Sequence, residues 1–326
     1  MQQYRDTNYA AVSAALHARE AHLLTQALSE RMLEAPTAEE SCKLLIECGY
    51  PPIEHCTLGE VEHLLALSRA ELYREVAVLA PDKRLVELFQ LKYDYHNAKL
   101  ALKAKLTGED VSRLVIGCGR YDAAALLRGE RGMLSSRMGR AMAQAEKEAE
   151  GGDVRAAELT LDRACFEEMS ALAKETESDF LIGYVALQID AINLRPLVRA
   201  QRMGASDELL SAALLPGGHI PANQLKTARG DRLAELTRGS ALSSAGELAA
   251  ATLGGSGSLT AFERACDDAL VRYLQRARRT PFGPEVIVGY LSAKEAEFTA
   301  VRTILSGKLA GLDAEDIRAR LRLSYL

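Results

Sequence analysis

The sequence predicts an all-α fold built from three similar helical-bundle domains. No segment alternates apolar and polar residues over the length of a strand, whereas the helix-favouring residues Ala, Leu, Glu and Arg are abundant throughout. Short runs containing Gly or Pro separate the helical segments, as in packed bundles. A polar pattern also recurs about every hundred residues, which is the mark of a repeated unit.

The composition is that of a globular protein. Apolar residues make up 48% of the 326 residues and charged residues 26%, which supplies enough apolar surface for packed cores. At roughly 100 to 200 residues per domain, the length predicts two or three compact units. No apolar run approaches the roughly 18 residues that a membrane-spanning helix needs, and the first residues lack a signal-peptide core. We therefore expect a cytoplasmic location.

Charge and cysteine usage narrow the possible functions. The net charge is −5 and the basic residues are spread along the chain, so the basic stripe of a nucleic-acid-binding protein is missing. The scattered cysteines favour reduced, buried thiols over a disulfide framework. They are Cys42, Cys48, Cys56, Cys118, Cys165 and Cys266.

Local signals place the helices in order along the chain. Four pairs of Ser or Thr with Glu three residues later have the form of capping boxes and predict helix starts: Thr37/Glu40, Ser68/Glu71, Ser244/Glu247 and Thr260/Glu263. Loops are predicted at the Gly- and Pro-containing runs 49–52, 80–81, 151–153, 216–218 and 254–257. Between the second and third of these loops, apolar residues from Leu88 to Leu106 recur every three or four positions and predict one amphipathic helix.

A polar motif is repeated three times. An acid is followed five residues later by a base, and in two copies an Asn stands between them. The copies are Asp94, Asn97 and Lys99; Asp190, Asn193 and Arg195; and Glu297 and Arg302, with Ala300 in place of Asn. The spacing predicts helical repeats at residues 1–115, 116–215 and 216–326, because a period of about a hundred residues is longer than that of common solenoids.

Within a helix, residues five apart point about 140° away from each other, so the acid and the base of one copy do not face each other. Asp and Asn inside a helix cost up to about 0.7 kcal/mol each relative to Ala. Our hypothesis is that hydrogen bonds to neighbouring helices compensate this cost and fix their register. The alternative is that these residues are solvated positions on an amphipathic helix.

One segment carries a family resemblance. The stretch from Tyr93 to Lys105 resembles the Asp-Tyr-His-Asn-x-Lys segment of the C subunits of archaeal and bacterial V-type ATPases, the counterparts of the eukaryotic d subunit. The stretch from Gly289 to Glu297 and the ending up to Tyr325 are also similar to that family. Two departures are Ala300 in the third copy and Pro196, which should kink or end its helix.

The resemblance implies three helical domains arranged as a funnel, which sits on the membrane rotor ring and receives the central stalk. The protein would then be a non-catalytic part of a rotary ATPase or ATP synthase that transports protons or sodium ions. It would carry torque, need no cofactor and bind no small-molecule substrate. It would lie at the cytoplasmic face of the membrane as part of the complex.

No catalytic or metal-binding constellation is predicted. Gly307-Lys308 lacks the first Gly and the Ser or Thr of a phosphate-binding loop, and the Glu60/His63 pair has no second copy of the kind used by di-iron bundles. Cys42, Cys48 and the His55-Cys56 pair do not match paired zinc spacings.

The basic clusters at 276–279 and 318–322 have two interpretations, as favourable charge at helix ends or as contacts with an acidic neighbouring protein of the complex. The alternatives to a coupling role are a stand-alone cytoplasmic scaffold for protein binding and, more remotely, a metal-dependent helical enzyme.

Overall fold

The computed structural model describes residues 6–204 and 214–325. The described residues contain helices and no strand, which confirms the all-α prediction. The α-helices are α1 (Ala10–Glu20), α2 (Gln26–Glu34), α3 (Ala38–Lys43), α4 (Leu58–Leu79), α5 (Arg84–Thr107), α6 (Ala123–Leu127), α7 (Ser136–Glu150), α8 (Val154–Glu175), α9 (Asp179–Arg202), α10 (Ala222–Thr227), α11 (Asp231–Thr237), α12 (Ser243–Leu253), α13 (Leu259–Leu274), α14 (Pro284–Leu309) and α15 (Ala314–Arg320). Short 3-10 helices cover Asp6–Tyr9, Leu44–Cys48, Ser112–Leu114 and Gln275–Arg279.

The chain forms two compact units, and one of them is discontinuous in sequence. The first unit combines the described residues up to Val86 with those from Val271 onward, and the second runs from Glu87 to Leu270. Contacts thus define two units, whereas the motif spacing predicts three repeats. The division at 1–115, 116–215 and 216–326 stays a prediction about repeated sequence.

Helix α14 is the centre of the first unit. It packs against α1, α2, α3, α4 and α15. Every residue from Val286 to Ala293 is buried. Gly307 allows α15 to approach closely, because a Cβ there would lie 2.7 Å from a side-chain carbon of Ile317. A helix buried on all sides is the expected core element of a helical unit.

Helix α9 has the same role in the second unit, where it packs against α8, α10 and α12. By length and composition it could span a bilayer, but 61% of its most apolar 18-residue window is buried inside the protein. Its burial marks it as a core helix.

Pro196 does not end α9, which continues to Arg202. Of the two expected outcomes, a helix end is therefore wrong, whereas a kink stays a prediction. Pro196 lacks the N–H that would bond to the carbonyl of residue 192, but Leu197 and Val198 beyond it are both fully buried. Apolar packing on both sides of the proline offsets the lost hydrogen bond.

One of the four predicted helix starts is confirmed together with its cap. The Thr37 hydroxyl accepts a hydrogen bond from the Glu40 backbone N–H at 3.1 Å at the start of α3. Helices also begin within two residues of two further pairs, at Ser243 and Leu259, although Ser244 and Thr260 lie in the first turn and not at the cap. Only the start at Ser68 was wrong, because Ser68 lies inside α4. Helix α4 is instead capped by Thr57, and its buried apolar stripe continues past Ser68 without a break. Ser-x-x-Glu is therefore also compatible with a helix interior when burial extends the helix.

The cysteine prediction needs a correction. Cys42 and Cys56 form a disulfide that links α3 to the loop before α4, with their Cα atoms 6.6 Å apart. The other four cysteines are free and buried. Positions in sequence could not show that the loop after Gly49 returns to α3, which is what brings the two sulfurs together.

Candidate functional site

The acids of the three motif copies lie inside the protein. Asp94 is 1% exposed, Asp190 2% and Glu297 4%. The two Asn residues are buried as well. A buried carboxylate is costly unless hydrogen bonds or cations compensate it, so the partners of each acid define what the motif does.

At the first copy, α5 holds the loop that follows it. Asp94 Oδ1 accepts hydrogen bonds from the backbone N–H groups of Arg120 at 2.8 Å and Tyr121 at 3.2 Å. Asn97 forms a two-way pair with Ile116: its Nδ2 donates to the Ile116 carbonyl at 2.8 Å and its Oδ1 accepts from the Ile116 N–H at 3.1 Å. We call this arrangement the first clamp.

The second copy repeats this geometry on α9. Asp190 accepts from the backbone N–H groups of His219 at 2.9 Å and Ile220 at 3.0 Å. Asn193 pairs in both directions with Leu215, at 2.8 Å to the carbonyl and 2.7 Å from the N–H. This is the second clamp, and it uses the same four kinds of backbone bond as the first.

The loops that the clamps hold share a six-residue pattern that was not predicted from the sequence. Residues 116–121 are Ile-Gly-Cys-Gly-Arg-Tyr and residues 215–220 are Leu-Pro-Gly-Gly-His-Ile. An apolar residue pairs with Asn, and a Gly three positions later precedes the two N–H groups that bind Asp. Aligning the segments downstream of each motif copy could have revealed this pattern.

The shared Gly is required by close approach to the carboxylate. A Cβ at Gly119 would lie 2.3 Å from Asp94 Oδ1, and one at Gly218 would lie 2.0 Å from Asp190 Oδ1. Both distances are far below van der Waals contact. Any side chain at these positions would push the loop away from the acid.

The two clamps differ in how the negative charge is compensated. The Arg120 side chain donates from Nε to Asp94 Oδ2 at 2.7 Å and forms an ion pair with it. Asp190 forms no ion pair with any residue that the structure describes. Burial raises the pKa of both acids; Arg120 opposes the rise at Asp94, and two backbone N–H groups oppose it at Asp190.

Arg120 also links the first clamp to α8. Its Nη2 donates to Glu168 Oε1 at 3.1 Å, and the Tyr95 hydroxyl donates to Glu168 Oε2 at 2.8 Å. Burial and the neighbouring Glu168 raise the pKa of Tyr95, which keeps its hydroxyl protonated as a donor. One arginine therefore serves two buried carboxylates on different helices.

The third copy holds a different partner. Glu297 on α14 accepts from the Leu24 N–H at 2.8 Å and the Tyr50 hydroxyl at 2.5 Å, and it pairs with Lys294. Among the described residues, none downstream of α14 binds Glu297. Ala300 replaces the Asn of the other copies, and the partners come instead from the beginning of the chain. We call this the third clamp.

The bases of all three copies bond to acids on other helices. Lys99 Nζ donates to Asp162 on α8 at 2.6 Å. Arg195 pairs with Asp267 on α13, and Arg302 pairs with Glu62 on α4. These pairs are partly exposed, so each adds modestly to stability. Acid and base of each copy thus bind segments outside their own helix.

The contacts follow a regular order along the chain. The motif on α5 binds the loop that follows it and helix α8, and the motif on α9 binds the loop that follows it and helix α13. The motif on α14 binds Leu24, Tyr50 and α4, which belong to the first part of the sequence. Whether these contacts fix helix register stays a prediction.

The polar atoms of the three clamps bond to other residues of the protein. Within residues 6–204 and 214–325, no group of three His, Cys, Asp or Glu side chains could hold a metal ion. Cys42 and Cys56, weighed above as ligands, are bonded to each other. Lys308 donates to the Ala35 carbonyl at 2.5 Å from inside a helix, which is unlike the lysine of a phosphate-binding loop.

Comparison with known proteins gives a consistent result. A family model described as ATP synthase (C/AC39) subunit matches residues 12–320. The C subunit of the V-type sodium ATPase of Enterococcus hirae is 22% identical over 324 residues, covering 97% of this chain and 99% of its own. The C subunit of the A-type ATP synthase of Methanocaldococcus jannaschii is 26% identical and that of the V-type ATP synthase of Thermus thermophilus 25%, covering 96% and 93% of this chain and 86% and 94% of their own.

Proposed function

The chain belongs to the ATP synthase (C/AC39) subunit family, and from this premise we propose that it is the non-catalytic subunit that joins the central stalk to the membrane rotor ring of a V-type ATPase or ATP synthase. Its partners are then the stalk proteins and the ring. It lies on the cytoplasmic face of the membrane through those contacts. It transmits rotation between ATP chemistry and the transport of protons or sodium ions.

Two observations support a mechanical role. The three relatives compared above match over most of their length and are named as C subunits of such complexes. The three clamps also tie each long motif helix to a segment outside that helix, through buried carboxylates with several donors each. A part that transmits torque needs such cross-ties, since densely packed and hydrogen-bonded helices resist deformation.

The three repeats form part of the proposal. The matching geometry of the first and second clamps supports one unit copied along the chain, and the third clamp is a diverged copy. We propose that the repeats correspond to three similar domains arranged as a funnel. The succession of clamps would then connect the domains in order and return from the last to the first.

Co-purification from the native organism tests the proposal. With an affinity tag on this chain, we expect the rotor-ring and central-stalk proteins to be recovered in fixed proportion. The isolated chain should hydrolyse no ATP, whereas the recovered complex should. Recovery of the chain without those partners, under conditions that leave the complex intact, would contradict the proposed function and favour a stand-alone scaffold.

A further inference from the structure

Two short segments of the first unit carry a concentration of arginine. Residues 272–279 contain four Arg, residues 318–325 contain three, and neither segment contains Asp, Glu or Lys. The chain as a whole has a net charge of −5. These segments are therefore a strong local departure from the average charge.

The fold brings the two segments together. The Gln275 side-chain amide donates to the carbonyls of Ser324 at 3.1 Å and Tyr325 at 3.2 Å. Tyr325 is buried against Gly289, where a Cβ would lie 2.6 Å from its hydroxyl oxygen. The two segments are about 40 residues apart in sequence, on the order of a helix hairpin. The fold nevertheless makes them neighbours on one surface.

The arginines of this surface point to solvent. We call Arg276, Arg278, Arg279, Arg320 and Arg322 the basic surface, and all five are exposed. Arg318 is excluded because Glu30 and Glu315 already bind it. Arg276, Arg278, Arg279 and Arg320 form no ion pair with a described residue, so their guanidinium groups lack an acid partner inside the part of the chain that the structure covers.

Aromatic groups accompany the charge. Arg276 lies over the Tyr273 ring at 4.9 Å, and Phe282, three residues beyond Arg279, is 41% exposed. Exposed Arg next to aromatic side chains is the composition of protein interfaces, which are enriched in both and poor in Lys. The absence of Lys also fits carboxylate binding, since the planar guanidinium can bond both oxygens at once.

We propose that the basic surface binds a carboxylate-rich surface of a neighbouring protein in the rotary complex. This inference rests on the proposed function, because the partner belongs to that complex. Guanidinium groups also bond lipid phosphate, but the Tyr273 ring under Arg276 and the exposed Phe282 favour a protein surface.

The test compares three forms of the chain in the assembled complex. The complex is captured by a tag on the rotor ring and washed with increasing KCl, and the concentration that releases half of the chain is measured. The basic-surface variant is Arg276→Gln, Arg278→Gln and Arg279→Gln. The control is Arg113→Gln, Arg140→Gln and Arg155→Gln, which removes three exposed arginines of the second unit.

We expect the basic-surface variant to be released at about half the KCl concentration needed for the wild type or less, because salt screens exposed charge pairs. The control should match the wild type. Equal release of all three forms would overturn the inference while leaving the proposed function intact. Failure of the wild type itself to be captured would contradict the proposed function, and the inference with it. Circular dichroism melting of the isolated variants shows that each is folded.

A second arm separates protein from lipid. Vesicles of phosphatidylcholine with an equal share of phosphatidylglycerol are floated with the isolated chain. We expect no flotation that depends on the basic surface. Flotation of the wild type and the control but not of the basic-surface variant would overturn the carboxylate proposal in favour of lipid phosphate.

Discussion

The first and second clamps hold a buried carboxylate with the same backbone geometry but with different charge compensation. Asp94 has two N–H donors and Arg120, whereas Asp190 has two N–H donors and no ion pair among the described residues. Both clamps therefore require two backbone N–H donors, which belong to the two residues directly after the shared Gly. The arginine is an addition at the first clamp, where a second carboxylate, Glu168, lies within reach.

The largest effect should come from making the first clamp resemble the second. Arg120→Met leaves Asp94 with its backbone donors but removes the cation shared with Glu168. We expect a loss of about 4 kcal/mol in the free energy of unfolding, because breaking a buried ion pair leaves uncompensated charge. Urea unfolding measures it. A loss below about 1 kcal/mol would mean that backbone donors alone satisfy both clamps.

The shared Gly should be nearly as sensitive. Gly119→Ala places a Cβ 2.3 Å from Asp94 Oδ1, so the loop must move and its N–H bonds must lengthen. We expect a loss of about 3 kcal/mol in unfolding free energy. Gly117→Ala in the same loop meets no atom within 4 Å and is the matched control, with an expected change within about 0.5 kcal/mol. Equal effects of the two substitutions would contradict the steric argument.

The third clamp differs again, because a disulfide closes the segment that carries Tyr50. Cys42 and Cys56 are 14 positions apart and enclose Tyr50, whose hydroxyl donates to Glu297. Replacing both cysteines by Ser should lower the unfolding free energy by about 2 kcal/mol through the gain in entropy of the unfolded chain. Under strong reductant the wild type should fall to the level of the variant. A wild type that is insensitive to reductant would contradict a stabilising disulfide.

The smallest expected effect is on the pH dependence of the unfolding free energy. Burial raises the folded-state pKa of Asp190 above its ordinary value of 3.8, so ionisation of Asp190 opposes folding. This penalty is absent at low pH, where the group is protonated in both states, and it develops as pH rises from 3.8 through the folded pKa. Unfolding free energy should therefore fall less with rising pH in Asp190→Asn than in the wild type.

The control for this pH dependence has the opposite sign. Hydrogen bonds from Ser112 lower the pKa of Asp110, which is fully exposed, so its contribution is present above the ordinary pKa and is lost as pH falls. In Asp110→Asn, the unfolding free energy should therefore rise less with increasing pH than in the wild type. Parallel wild-type and Asp190→Asn curves between about pH 3 and 7, the range of a carboxylate titration, would contradict a raised pKa at Asp190.

Local patterns in the sequence predict much of the fold, but they do not predict the hydrogen-bond partners of the motif acids. Helical composition and the breakers placed most helices, and the repeated spacing singled out Asp94, Asp190 and Glu297. Their backbone partners lie 26 to 273 positions away, and no periodicity reports such distances. Ser68 and Pro196 misled for a related reason, since burial of α4 and α9 outweighed the local signals at both positions. Of the two Gly-containing loops, only 216–218 was predicted as a breaker, and only the structure shows that Gly119 and Gly218 each face a carboxylate.

The bond between Leu24 and Glu297 spans 273 positions, and it lies in a unit whose two halves come from opposite parts of the sequence. During synthesis, the contiguous unit from Glu87 to Leu270 can acquire its contacts while the rest of the chain is still being made. The discontinuous unit has to wait until α14 leaves the ribosome. Until then the apolar faces of α1 to α4 lack their central helix, which leaves them open to aggregation and chaperone binding.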